Sequence, residues 1–193
     1  YQAAGDLSGQ AHALNEAARY CEVLGHTEDA LQEYRNALEL ARWAGDRQCE
    51  KNALSNLGVL LNRLGRNHEA VQRLSEALRI ARELSWPDLV GSTLINLGPA
   101  YQDLPEPQKA IDTYQEALEI IPEQDPNRAI AHNNLGATYE ALGDWDKAIE
   151  HYNQALELSK GEKTEATFLN NLGLVYQRWG QLDKALEAYQ GAL

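Results

Sequence analysis

The chain has 193 residues, with 17 lysines and arginines against 29 aspartates and glutamates, and its formal net charge is −12. We expect it to bind neither nucleic acid nor an anionic membrane surface, because both require clustered basic side chains. It contains no apolar run of about 18 residues and no signal peptide. Two cysteines in unlike settings, Cys21 and Cys49, fit a reducing compartment. The sequence therefore predicts a cytoplasmic protein without a disulfide.

One sequence pattern recurs along the whole chain about every 40 residues. It consists of a leucine-glycine pair, a glycine or proline turn, an alanine, a tyrosine or leucine, and a second alanine. The leucine-glycine pair occurs at 57–58, 97–98, 135–136 and 172–173. A period of this length indicates a stacked array, since one copy alone cannot bury its apolar face.

The repeat predicts one continuous solenoid domain. Residues 1–10 are predicted to be the tail of a preceding repeat and a linker, because Gly5-Asp6 aligns with Gly45-Asp46 one period later. No polar capping helix is predicted at either end, so we expect a piece of a longer array, with end-to-end self-association through uncapped termini. The five predicted repeats cover 11–50, 51–90, 91–128, 129–165 and the truncated 166–193.

Repeat 1 departs most from the pattern, with Ala17-Ala18 in place of leucine-glycine and Cys21 in place of a tyrosine. Repeat 2 predicts a first helix over about 51–64 and a second over about 67–84, with Gly65 as a left-handed cap between them. Recurring alanines allow the helices to pack closely. The residues predicted to be buried in repeat 2 are Leu54, Leu57, Leu61, Leu64, Ala70, Leu74, Ala77 and Leu78.

Repeat 3 carries three prolines. Pro99 falls inside the first helix, where it removes one backbone hydrogen bond and crowds the carbonyl of Ile95. We interpret it as a tolerated local bend, the alternative being a kink that offers that carbonyl to a ligand. Pro105 and Pro107 fit the turn and the first turn of the next helix.

Repeats 3 to 5 carry the residues by which a family is identified. In repeat 4 these are Leu135-Gly136, Tyr139, Ala148, Tyr152 and Ala155; in repeat 5 they are Leu172-Gly173, Tyr176, Ala185, Tyr189 and Ala192. With them the chain resembles the tetratricopeptide repeat (TPR) superfamily. The copies of this chain are longer than the family's usual length of about 34 residues. They are also rich in asparagine, and in this they resemble the repeats of kinesin light chains, spindle-orientation scaffolds and multi-repeat bacterial regulators. The resemblance implies an all-α, right-handed α-solenoid of stacked antiparallel helix pairs that binds proteins.

We find no catalytic constellation in the sequence. None of the five histidines stands at metal-ligand spacing with a cysteine or another histidine. His132 falls on the packing face of its helix, and Asp144 and Asp146 fit a helix cap and a partner for the helix dipole. Phosphate loops, dinucleotide fingerprints and nucleophile elbows are also absent from the sequence. We therefore predict a protein that is not an enzyme and has no catalytic residue, cofactor or metal.

Asparagines recur on the face of each first helix that lies opposite the apolar stripe, and in a stacked array such faces line a concave groove. A side-chain amide donates and accepts, so a row of amides can hold an extended backbone. We predict a groove of about 40 Å for roughly a dozen residues of a neutral to basic peptide or partner segment. The basic residues with which this family clamps a carboxylate are missing from the asparagine positions. The predicted groove residues are Asn15, Arg19, Asn52, Asn56, Asn96, Asn133, Asn134, Asn170 and Asn171.

Three functions remain open at this point. The first is a protein-protein interaction module, as a sensor or scaffold part of a larger regulatory protein. The second is a purely architectural spacer or oligomerisation arm, in which each asparagine pairs with a neighbouring helix or turn. The third is a non-catalytic fragment of a multidomain enzyme.

Overall fold

The computed structural model of the chain describes residues 2–193, with side chains from Leu7 onward, and these residues form ten α-helices. All regular secondary structure of these residues is helical, which confirms the predicted all-α class. The helices are α1 (Gln2–Val23), α2 (Thr27–Ala44), α3 (Arg47–Arg63), α4 (Asn67–Glu83), α5 (Pro87–Gln102), α6 (Pro107–Ile120), α7 (Asn127–Ala141), α8 (Trp145–Leu158), α9 (Glu165–Arg178) and α10 (Leu182–Gly191). None of the helices in this described part is both long and apolar enough to cross a membrane.

The helices group into two compact units, Tyr1–Leu104 and Pro105–Leu193. In unit 1, α1 to α5 pack in order, and α3 also contacts both α1 and α5. In unit 2, α6 to α10 pack in order, and α7 also contacts α9. The boundary between the units falls inside predicted repeat 3 (91–128). The single continuous solenoid domain and the repeat boundaries stay a prediction.

Two helices begin earlier than predicted. Helix α1 is continuous from Gln2 to Val23, so the linker expected within 1–10 is not seen from residue 2 onward, and Tyr1 lies outside the described residues. Helix α3 begins at Arg47 because Asp46 caps it, its side chain accepting the Cys49 backbone N–H at 2.9 Å. Gly65 ends this helix at φ 72°, the predicted left-handed cap.

The repeated apolar residues form the core. Leu54, Leu57, Leu61 and the predicted stripe of α4 are buried, but Leu64 is 42% exposed because α3 ends at Arg63 and Leu64 turns away from that stripe. The glycine of the leucine-glycine pair is required by close packing. A Cβ at Gly136 would lie 2.8 Å from Cδ1 of the fully buried Tyr152.

The prolines lie where their missing N–H is tolerated. Pro87 and Pro107 stand in the first turns of α5 and α6, as predicted for Pro107. Pro99 lies inside α5, which continues past it to Gln102. The two cysteines are both free, Cys49 buried and Cys21 half-buried.

Candidate functional site: amide rows on the first helices

In unit 1, two predicted groove asparagines bond to each other across neighbouring first helices. The Asn56 amide nitrogen on α3 donates to Asn15 Oδ1 on α1 at 3.1 Å. Asn15 is 6% exposed, whereas Asn56 is half-buried. Asn15 therefore lies behind Asn56, and Asn56 is the residue of the pair that solvent reaches.

Unit 2 repeats this contact between α7 and α9. The Asn171 amide nitrogen donates to Asn133 Oδ1 at 2.7 Å, and Asn133 in turn donates to Asn134 Oδ1 at 3.3 Å. All three side chains are half-buried. Asn170, the neighbour of Asn171, is exposed.

The two contacts follow one rule. The asparagine directly before the leucine-glycine pair donates to the asparagine two residues before the corresponding pair of the preceding copy. By this rule Asn96 should donate to Ser55. Ser55 is 5% exposed, and its Oγ has no partner among the described residues. The half-buried Asn96 thus stands at the same helical position as Asn56 without the asparagine partner that Asn56 has.

The other predicted groove residues have local partners. Lys51 donates to Asn52 Oδ1 at 3.4 Å, and the burial of Lys51 lowers its pKa from the usual value. Arg19 forms an exposed ion pair with Glu16 at 3.0 Å. Arg19 is therefore already neutralised by its own helix.

A polar contact that the sequence analysis missed lies at the end of the first helices. In unit 2, Glu140 accepts a hydrogen bond from the Tyr152 hydroxyl at 3.0 Å. It also forms an ion pair with Arg178 Nη1 at 2.8 Å. The Glu140 side chain is 9% exposed. We call this arrangement the Tyr-Glu-Arg cluster. It joins copy 4 to the first helix of copy 5, since Arg178 belongs to α9.

The Tyr-Glu-Arg cluster recurs in unit 1. Glu22 accepts the Tyr34 hydroxyl and pairs with Arg63 of the next copy. Burial raises the pKa of Tyr34 to about 12 and raises that of Tyr152 as well, so both hydroxyls remain donors at neutral pH. The signal in the sequence is a glutamate twelve residues before the repeat tyrosine, with an arginine one period later.

Copy 4 also holds a histidine pair. His132 Nδ1 lies 3.2 Å from His151 Nδ1, and the rings stack at 5.4 Å between centroids. The Tyr139 ring also stacks with His151, at 5.4 Å between centroids. For a hydrogen bond between the two histidines, one Nδ1 must carry a proton and the other must accept the hydrogen bond, so the accepting ring is neutral with its proton on Nε2.

Burial is the main reason that the two rings stay neutral. It lowers the pKa of His132 to about 4, with smaller contributions from the charges of His151 and Arg128. Burial also lowers the pKa of His151, opposed by Glu150 and assisted by Lys147. The prediction that His132 lies on the packing face is confirmed by its half-buried position and its ring contact.

Three residues that could ligate a metal meet at the start of α3. His12, Asp46 and Cys49 each offer one ligand atom, and these atoms all lie within 4.8 Å of one another. Linear spacing did not reveal them, because His12 comes from another helix.

These helix pairs and the recurring contacts between first helices are those of a TPR array, and comparison with known families agrees. The family model for the tetratricopeptide repeat matches residues 49–123, 89–161 and 127–193. The chain therefore belongs to the tetratricopeptide repeat family, and as such it is a protein-protein interaction module. A second model, for anaphase-promoting complex subunit 5, matches residues 8–57. No curated protein matches the chain.

Solved structures with the same fold include three of interest. BtubC (BKLC) from P. vanneervenii is 27% identical with a TM-score of 0.82, over 96% of this chain and 79% of that one. A Rap protein complexed with competence and sporulation factor is 19% identical with a TM-score of 0.83; 95% of this chain spans 53% of its length. A Podosopora anserina protein described as a kinesin light chain with nearly identical TPR-like repeats is 18% identical with a TM-score of 0.79, over 96% of this chain and 93% of that one.

Proposed function

We propose that the first helices of this TPR module hold an extended segment of a partner protein, and that their half-buried asparagines bind its backbone. The observation that carries the proposal is the recurrence of an asparagine before the leucine-glycine pair in copies 2 to 5. An asparagine is unfavourable in the middle of a helix, so four recurrences indicate a role for the amide.

The hydrogen bonds between neighbouring asparagines leave capacity for a ligand. The bond from Asn56 to Asn15 uses one N–H of the Asn56 amide. An amide has a second N–H and a carbonyl oxygen. Because Asn56 is half-buried rather than enclosed, these groups are able to pair with a peptide N–H and C=O.

Unit 1 also offers acceptors that lack donors. Asn62 Oδ1 and Asn67 Oδ1 are buried atoms without a partner among the described residues, as is Ser55 Oγ. Leaving such groups unpaired costs about 1–3 kcal/mol each. These oxygens are enclosed, so the N–H donors of an extended segment reach them only after the half-buried Asn62 and Asn67 side chains rotate outward, which would relieve that cost.

The partner segment is proposed to be neutral to basic. The chain carries 29 acidic against 17 basic residues, and this balance attracts cationic segments over long range. At the contact itself the attraction is weaker than the sequence suggested, because Arg63 neutralises Glu22, and Arg178 neutralises Glu140. Recognition then rests on amides and shape, while charge assists the encounter.

One alternative has its own support. The Asn56–Asn15 and Asn171–Asn133 bonds and the two Tyr-Glu-Arg clusters all join one copy to the next. Such contacts stiffen an array, which is what an architectural spacer or oligomerisation arm needs. Asn96 distinguishes the two functions, because it has no asparagine partner on the preceding first helix, unlike Asn56 and Asn171. A loss of binding in a variant of Asn96 therefore reports on the ligand and not on a contact between copies.

The test is a selection of random linear peptides of about a dozen residues on the immobilised protein, followed by measurement of Kd. We expect neutral to basic peptides to be selected, and Asn96→Ala to weaken their binding at least tenfold with unchanged helical circular dichroism. Asn153→Ala is the matched control, since Asn153 is an exposed asparagine of the second helix α8. Equal affinity of the wild type and Asn96→Ala would leave the architectural function standing.

A further inference from the structure

The junction between α1 and α3 brings together three side chains of different ligand type. His12 Nε2 lies 3.2 Å from Asp46 Oδ2, and Cys49 Sγ completes a group whose ligand atoms lie within 4.8 Å of one another. His12 comes from α1, while Asp46 and Cys49 are the cap and a first-turn residue of α3. We propose that this group binds one zinc ion and ties the first helix of copy 1 to that of copy 2.

The ligand set suits zinc. Imidazole nitrogen, carboxylate oxygen and thiolate sulfur are its ordinary ligands, at about 2.0–2.3 Å from the metal. Ligand atoms around such an ion lie about 3.3–3.6 Å apart, so the His12–Asp46 distance already fits. A ligand pair at the 4.8 Å limit has to shorten by about an ångström, and rotation of the half-exposed His12 side chain can bring its nitrogen closer to the buried Cys49 sulfur.

The surroundings favour binding in two ways. Ser8 donates to Asp46 Oδ2, and the Cys49 backbone N–H donates to Oδ1 at 2.9 Å, so the carboxylate is already oriented by its neighbours. One carboxylate and one thiolate balance the two charges of the ion. The completed site is therefore neutral, and this limits the cost of placing it against the fully buried Cys49.

Proton balance follows from the ligand set. The Cys49 thiol must lose its proton to form the zinc–sulfur bond, and that proton passes to the solvent. His12 binds through the lone pair of Nε2, with its remaining proton on Nδ1. Three protein ligands leave the fourth position of a tetrahedral ion to water or to a group of another molecule. Binding thus releases a proton from the thiol, and no redox step is involved.

Cobalt(II) is the probe, because it takes tetrahedral zinc sites and a cobalt–thiolate bond absorbs in the near ultraviolet. We expect one cobalt per chain with a thiolate charge-transfer band that zinc displaces. Binding should also release a proton, seen calorimetrically as a binding enthalpy that varies with the ionisation enthalpy of the buffer. His12→Gln and Cys49→Ser should each weaken binding at least tenfold. The matched control is Cys21→Ser, the other free cysteine, which should bind as the wild type does.

A second measurement guards against variants that merely fold poorly. Zinc should raise the Tm of the wild type and of Cys21→Ser, but not that of His12→Gln, whose exposed side chain is dispensable for folding. Absence of the thiolate band in the folded wild type would overturn the proposal. So would a band lost equally in Cys21→Ser, or zinc binding that persists unchanged in both His12→Gln and Cys49→Ser.

Discussion

The junction between copies 1 and 2 and the junction between copies 2 and 3 lie in the same unit, but they differ in their polar contacts. The first has the Asn56–Asn15 bond and the pairing of Arg63 with Glu22. At the second, Ser55 stands where Asn15 stood, and Asn62 stands where Glu22 stood. Both Ser55 Oγ and Asn62 Oδ1 are buried without a partner among the described residues.

The backbone plan is the same at both junctions, so the difference lies in four substitutions, two of which are Ser55 and Asn62. Leu74, fully buried, replaces the tyrosine that would donate to position 62, and Asp103 replaces the arginine. At this junction the Asn67 amide donates to the Asp103 carbonyl at a long 3.5 Å. Helix packing is therefore common to both junctions, whereas the polar contacts differ from copy to copy and leave unpaired acceptors at the second junction.

The largest expected effect comes from removing the acceptor of a Tyr-Glu-Arg cluster. Glu140→Ala leaves the buried Tyr152 hydroxyl and Arg178 without their shared partner. We expect it to lower the free energy of unfolding by about 2–3 kcal/mol, measured by urea denaturation. The control is Asn62→Ala at the corresponding position of copy 2, where we expect a change within about 0.5 kcal/mol. Equal losses in the two variants would contradict the assignment of different contacts to the junctions.

The next effect depends on pH and concerns copy 4. His132 stands where Leu54 and Leu94 stand in copies 2 and 3, and burial lowers its pKa to about 4. A histidine whose pKa is lowered in the folded state binds its proton more readily when unfolded. The protein should therefore lose stability as pH falls from about 6.5 to about 4, by about 2 kcal/mol after allowance for solvent screening at a half-buried site.

His132→Leu tests this pH dependence by restoring the residue of the other copies. The variant should equal or exceed the wild type at pH 7, and its advantage should grow toward pH 4, because leucine carries no proton. The difference between the two denaturation midpoints cancels the titration of carboxylates that both proteins share. An advantage that stays constant across this range would show that His132 is not kept neutral by its surroundings.

A smaller effect separates the two asparagines at the same repeat position. Asn56→Ala removes the bond to the buried Asn15 and should cost about 1 kcal/mol. Asn96→Ala has no such bond to lose, and alanine is the better helix former, so its stability should equal or exceed that of the wild type. Urea denaturation of the two variants measures the difference. If Asn96→Ala proves the less stable of the two, the amide of Asn96 has a structural role.

The repeat, the helix pairs and most of the core were predictable because leucine-glycine pairs, alanines and turn glycines recur at fixed spacing. The contacts between copies were not. Glu22 and Arg63 stand about 40 residues apart in sequence, and only the stacking of α1 and α3 brings them together. The same holds for His12, Asp46 and Cys49, whose proximity depends on the cap of α3. The row of asparagines was predictable from their recurrence before the leucine-glycine pair. Which asparagines bond to each other was not predictable, because Ser55 occupies the position at which Asn15 and Asn133 accept a hydrogen bond.

The smallest expected effect on stability concerns copy 5, where self-association remains a proposal. Leu186 of α10 is 57% exposed, whereas Leu31 at the corresponding position of α2 is 1% exposed. Helix α2 packs against α1 and α3, while α10 packs against α9. Together with Leu182, 66% exposed one turn earlier, Leu186 forms an apolar face that favours association at high concentration.

Leu186→Lys should abolish concentration-dependent association in light scattering while leaving the free energy of unfolding in urea within about 0.5 kcal/mol of the wild type. Leu142→Lys, at an exposed leucine of unit 2 outside this face, is the control and should associate as the wild type does. A wild type that remains monomeric at millimolar concentration would show that this face does not drive self-association.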